Sequence, residues 1–361
     1  MESIKRKKSA LFLCSLTFMG IGFINGMTNI LKSKNKNYLA WYGSLPNMGI
    51  VVGLVLQKCL CHNLKHLIVI GCLIHVFSFY LEIFLNELPV LILRFLLGIG
   101  YSLFLVCCTV YIEKLSSKKE ANFFNSFAST CGSVGLLISE TFNLSCFKLQ
   151  TNACLLIYAC YYIILLYFSF FIPQIEYMHK SHKTSYKCLS IYFILILIQQ
   201  FTFVGCILAL SRKIFIANPP NLSCYLALLN LISNVICILL ISVINTPVYM
   251  YWLSLLLSSI CLILISINQI KNIFLFVLVF VYSVGVGPLT WIVISNIIHF
   301  NYKKNVYILG NIFNYFANFL FFFIFSNFVK KKEESYFYLT GSVCVILLGS
   351  VFYIMKLKKI I

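Results

Sequence analysis

The chain has 361 residues, of which 61% are hydrophobic and only 10% charged. A soluble domain carries about 25% charged residues, so this composition excludes an ordinary water-soluble globule. The formal net charge of +19 invites a nucleic-acid reading, but the lysines stand in short segments beside apolar runs, which is the pattern of membrane topology and not of a binding stripe.

Apolar runs fall at 9–31, 39–57, 67–87, 89–112, 122–143 and 153–173, then at 188–210, 222–244, 248–268, 272–298, 305–328 and 335–356. About 20 residues suffice for a helix to cross hydrocarbon. The most polar gap, QIEYMHKSHKTSYK at 174–187, divides six runs from six. The spacing predicts an all-α integral membrane protein of twelve transmembrane helices in two six-helix bundles, 1–173 and 188–361, joined by a short cytosolic linker over 174–187. The first run is long enough to span and reads as a signal-anchor helix, not as a cleaved leader.

An even number of spans puts both termini on one side. With the termini cytosolic, inside segments hold 17 Lys and Arg and outside segments 10, with Arg94 inside a span completing the 28. That excess follows the positive-inside tendency. Two glycosylation sequons, at Asn143 and Asn221, fall in segments that this orientation places outside. The expected setting is a multi-pass protein in a lipid bilayer, with no nucleic acid as partner. The 16 cysteines are scattered without zinc spacing and read as small buried hydrophobes. No nucleophile–base pair, phosphate loop or metal set appears, so neither an enzyme nor a cofactor is expected.

The polar residues inside the apolar runs carry the remaining information. Arg94 is costly in hydrocarbon and is a functional candidate on that ground; the alternative is an arginine snorkelling to the outer surface. Glu82, Glu87 and Glu140 stand near predicted outer ends and are expected to be solvated. His75 reads as a core histidine. Gln199 and Gln200 are adjacent in the seventh run, and Asn234 lies in the eighth. In the tenth, Gly285, Gly287 and Pro288 fall within four residues. Pro288 removes a backbone donor and its ring clashes with the carbonyl four residues back. Lipid tolerates such a break only where the freed backbone is buried in protein or lines a cavity, and transporters place broken helices at the substrate site. Trp291 follows closely. Asn314 and Asn318, spaced i and i+4, share one face of the next helix.

Four stretches together carry a family resemblance: RFLLGIG (94–100) with YIE (111–113), QQFTFVGCILALSRKIF (199–215), GVGPLTW (285–291) and NYFAN (314–318). They resemble the sugar porter family of the major facilitator superfamily, which includes the facilitative glucose transporters. The likeness covers 90–135, 188–234 and 281–319. It implies the major facilitator fold and transport by alternating access. It implies a substrate site of Gln199, Gln200, Asn234, Trp291, Asn314 and Asn318, where amides offer donors and an acceptor to hydroxyls and the indole stacks on a sugar ring. It also implies helix-break and gating roles for Gly285, Gly287, Pro288, Arg94 and Glu113. The chain departs from the family in several places. GFING (22–26) has Ile24 where proton-driven members carry aspartate, and Gly205 stands where the family has a sugar-binding asparagine. The loops KCLCHNLKH (58–66) and NTPVYMYW (245–252) lack the family's charged motif. With Ile24 there and no aspartate elsewhere, the resemblance implies uniport of a hexose-like sugar or similar polyhydroxylated small solute, by a monomer in a plasma membrane. The rival is a non-transporting solute sensor or a decayed scaffold of the same fold.

Reporter tags at residue 1, within 174–187 and at residue 361 should all be protected from outside in intact cells. Labelling of any one of them by an impermeant reagent would refute the topology.

Overall fold

The computed structural model describes residues 2–30, 36–57, 63–142, 144, 150–174, 186–215, 218–243, 247–267, 271–297, 303–331 and 334–357. The chain divides into two compact units, Met1–Ser181 and His182–Ile361. Most of the expected linker, and the sequon asparagine Asn143, lie outside the described residues.

The helices of the first unit are α1 (Glu2–Leu16), α2 (Met19–Ile30), α3 (Lys36–Leu56), α4 (Leu64–Glu82), α5 (Glu87–Leu115), α6 (Lys118–Thr141) and α7 (Thr151–Ser169). Those of the second are α8 (Tyr186–Phe201), α9 (Val204–Ala209), α10 (Ser211–Ile214), α11 (Pro219–Val243), α12 (Pro247–Ile267), α13 (Lys271–Val284), α14 (Val286–Ile297), α15 (Lys303–Lys331) and α16 (Glu334–Leu357). Among the described residues, ten segments are long and apolar enough to cross a membrane, with α1–α2 and α13–α14 each counting as one. The runs expected at 122–143 and 188–210 fall short of that measure for two different reasons.

The first of these, α6, is too polar. Most of its serines and threonines are nevertheless buried, and hydroxyls turn back onto their own helix: Thr130 donates to Ser126 O at 3.1 Å and Ser139 to Gly135 O at 3.0 Å. Such back-bonding satisfies hydroxyls that hydrocarbon would leave bare. The second is interrupted. Between α8 and α9, Phe203 adopts a left-handed conformation, φ 56° and ψ 7°, which is rare for a bulky residue.

Hydrocarbon is as apolar as leucine, so helices in it associate through close packing, and small residues permit the approach. Helices α2 and α6 meet in this way: a Cβ built on Gly22 would lie 2.1 Å from Gly132 O, and one on Gly135 would lie 2.3 Å from Met19 O. Helices α3 and α5 meet likewise, where a Cβ on Gly98 would lie 2.0 Å from Pro46 O. These contacts are to backbone and cannot yield by a rotamer change.

Gly22→Ala and Gly98→Ala should each lower stability by about 1–3 kcal/mol, the usual cost of overpacking. Gly132→Ala serves as the control, because its nearest neighbour would be Ile21 Cγ2 at 3.4 Å. Thermal unfolding in detergent measures all three, and equal losses at 98 and 132 would refute the packing account.

Candidate substrate site

The adjacent glutamines near the C-terminal end of α8 point to different helices. Gln200 Nε2 donates to Asn314 Oδ1 on α15 at 2.8 Å. Asn318 Nδ2, one turn further along α15, reaches the same oxygen at 3.5 Å. Gln199 Nε2 instead donates to Tyr282 Oη on α13 at 3.0 Å. Beside Tyr282, Ser283 donates to Asn230 Oδ1 on α11 at 2.7 Å, and Asn234 Nδ2 donates back to Asn230 O at 3.0 Å. The second unit therefore ties α8, α11, α13 and α15 together by neutral hydrogen bonds. The structure brings Gln200, Asn314 and Asn318 into one cluster, with Gln200 and Asn314 buried and Asn318 half-buried.

Asn234 belongs to the group formed with Asn230 and Ser283. Trp291, on α14, meets Tyr192 of α8 edge-to-face, with ring centroids 6.3 Å apart. Sequence reasoning missed Tyr282 and Asn230. Asn230 lies four residues before Asn234, so the helical spacing that linked Asn314 to Asn318 could also have found it. Nothing in the sequence marks Tyr282 as a partner of Gln199.

The break in the tenth run is present. Helix α13 ends at Val284 and α14 begins at Val286, with Gly285 between them. Gly285 N still reaches Val281 O at 3.1 Å, and Leu289 N reaches Gly285 O at 3.0 Å, so the interruption is short. A Cβ on Gly285 would lie 2.1 Å from Ser254 of α12, and one on Gly287 would lie 2.9 Å from the Tyr282 ring. Both glycines therefore serve close contact within the unit. Pro288 sits inside the first turn of α14, where its missing N–H is tolerated.

In the first unit, Arg94 is fully buried, which rules out the snorkelling alternative. Its Nη2 and Nε bind Glu82 Oε1 at 2.8 and 3.2 Å. Tyr42 Oη donates to the same oxygen at 2.5 Å, and the Arg94 guanidinium lies 3.9 Å over the Tyr42 ring and contacts its hydroxyl. One ion pair thus joins α3, α4 and α5. The expectation that Glu82 and Glu140 are solvated is wrong. Glu82 is 8% exposed and Glu140 1%, and Asn29 Nδ2 of α2 donates to Glu140 Oε1 at 2.7 Å. Position near a helix end did not expose them, because neighbouring helices cover those ends. Glu87, in contrast, is exposed. His75 is a core histidine: its Nδ1 lies 2.8 Å from Gly71 O and its ring stacks on Tyr162 at 4.3 Å. The Glu113 side chain lies outside the described residues.

Removing one partner of a buried ion pair typically costs about 3–5 kcal/mol, because the other charge is stranded. Glu82→Leu alone should destabilise the protein by about that much, and the double change with Arg94→Met should be milder than either single one. Thermal unfolding of purified protein in detergent decides, and a double variant worse than both singles would refute the pairing.

No family model matches the chain, and no curated protein matches it. Solved structures do. The inward-open xylose transporter XylE from E. coli superposes with a TM-score of 0.79 at 13% identity, covering 96% of each chain. The proton:xylose symporter XylE bound to 6-bromo-6-deoxy-D-glucose gives 0.77 at 13% identity, covering 97% of this chain and 95% of that one. A D-xylose-proton symporter gives 0.76 at 14% identity, covering 94% and 96%. Identity this low speaks to fold alone, and across nearly its whole length this chain has the fold of the major facilitator superfamily.

Proposed function

We propose that the protein is a facilitative carrier, a uniporter, for a hexose-like sugar or similar polyhydroxylated solute, working by alternating access between two six-helix bundles joined by a cytosolic linker over 174–187. The observation that carries this reading is the cluster of Gln200, Asn314 and Asn318, three carboxamides bonded to one another between α8 and α15. Each such bond contributes only about 0.5–1.5 kcal/mol net. A solute hydroxyl, which is both donor and acceptor, can replace an amide partner at little cost, so the cluster can open for a sugar and close again after it leaves. Gln199 and Asn234 extend the polar lining, and Trp291 supplies an apolar face for a ring. The xylose transporters of the same fold accord with a sugar as cargo.

One feature supports uniport over proton coupling: position 24, where the proton-driven members of the resembled family carry aspartate, is a buried isoleucine. The lysine distribution supports cytosolic termini, and the setting we assign is a plasma membrane. A solute sensor with the same amide cluster would bind sugar without moving it.

Proteoliposomes containing the purified protein should equilibrate a labelled sugar without accumulating it, and a protonophore should leave the initial rate unchanged. Saturable binding without uptake would favour the sensor, and accumulation that collapses with the proton gradient would refute uniport.

Trp291→Ala and Asn314→Ala should raise the transport KM about tenfold or more or abolish uptake, at unchanged surface expression. Trp252, which stacks on Phe352 of α16 at 5.4 Å, provides the control as Trp252→Phe. Equal effects at 252 and 291 would assign Trp291 to packing.

A further inference from the structure

Most glycines of the second unit exist to let neighbours in. A Cβ would lie 2.1 Å from Ser254 at Gly285, 2.2 Å from Tyr192 at Gly310, 2.4 Å from Phe203 at Gly341 and 2.9 Å from Tyr282 at Gly287. Gly205, on α9, differs from all of them. It is exposed, its φ is not positive, and a Cβ built there would find, among the described residues outside its own helix, one atom within 4 Å: Asn318 Oδ1, at 4.0 Å. Neither backbone conformation nor close packing requires glycine at this position, although glycine weakens a helix relative to alanine.

Gly205 also lies two residues beyond Phe203, the buried aromatic held in a left-handed conformation between α8 and α9. Strained backbone of this kind concentrates at ligand sites. The rings of Phe201, Phe321, Phe325 and Phe337 pack around Phe203 and hold the turn in place. The turn sets the open face of α9 beside the amide cluster of α15. There, the Nδ2 of Asn318 is directed to Asn314 Oδ1, which leaves Asn318 Oδ1 as the acceptor bordering the space.

We propose that Gly205 opens a subsite for a substituent on the solute, about the size of one small polar side chain and carrying an N–H donor for Asn318 Oδ1. An acetamido group meets both requirements: its N–H faces the acceptor and its methyl fills the open volume. The inference rests on the sugar-carrier reading and narrows it from plain hexoses to pyranoses bearing an acetamido group.

The test is equilibrium binding of N-acetyl-D-glucosamine and of D-glucose to the purified full-length protein by titration calorimetry. The acetamido sugar should bind about tenfold more tightly to the wild type, the equivalent of about 1.4 kcal/mol. Gly205→Asn fills the space and should abolish that preference, whereas Gly205→Ala, which adds one methyl, should lower it only partly. Equal affinity for the two sugars in the wild type, or a preference that survives Gly205→Asn, overturns the subsite and leaves the carrier reading standing. Binding of neither sugar overturns the subsite, while the proteoliposome uptake assay decides the carrier reading separately.

Discussion

Hydrocarbon offers no water to a polar group, so every donor and acceptor placed in it must find a partner inside the protein. Both units meet this demand with side-chain hydrogen bonds, but the most buried polar group differs between them. The second uses neutral amides and hydroxyls that share one another's atoms, as Asn314 Oδ1 is shared by Gln200 and Asn318. The first uses a charge pair, Arg94 with Glu82, completed by Tyr42. Neutral bonds with a small net worth can be traded for a ligand's hydroxyls. A buried ion pair cannot, because separating it strands a charge. The amide cluster of the second unit is therefore the softer of the two arrangements, and the ion pair of the first the more rigid.

Close packing is the other half of the same constraint. With no hydrophobic force pulling helices together inside lipid, contact depends on how closely backbones approach. Gly22 and Gly135 bring α2 against α6, and Gly98 brings α5 against α3. The side chains that these glycines omit are replaced by a neighbour's backbone. Gly205 differs: among the described residues, a Cβ built there would meet only Asn318 Oδ1, at 4.0 Å.

Much of the architecture was legible in the chain. Apolar runs separated by lysine-bearing gaps mark the spans, because burial in lipid is a property of composition along a segment and needs no knowledge of partners. The helix break at Gly285 follows from local stereochemistry. The common face of Asn314 and Asn318 follows from helical periodicity, which is equally local.

What the tertiary structure decided is pairing. Gln199 and Gln200 are identical neighbours in sequence, yet one goes to Tyr282 and the other to Asn314. Their choice depends on which helices lie on either side of α8. Glu82 looked solvated from its place near a helix end, but α3 and α5 close over it and bring it Tyr42 and Arg94. The left-handed turn at Phe203 has no sequence signal, since no glycine or asparagine occupies the position; surrounding rings impose it. Composition and period, which act along the chain, determined where the helices are. Contacts between residues distant in the chain determined what each polar side chain does, because only packing says which partner is within reach.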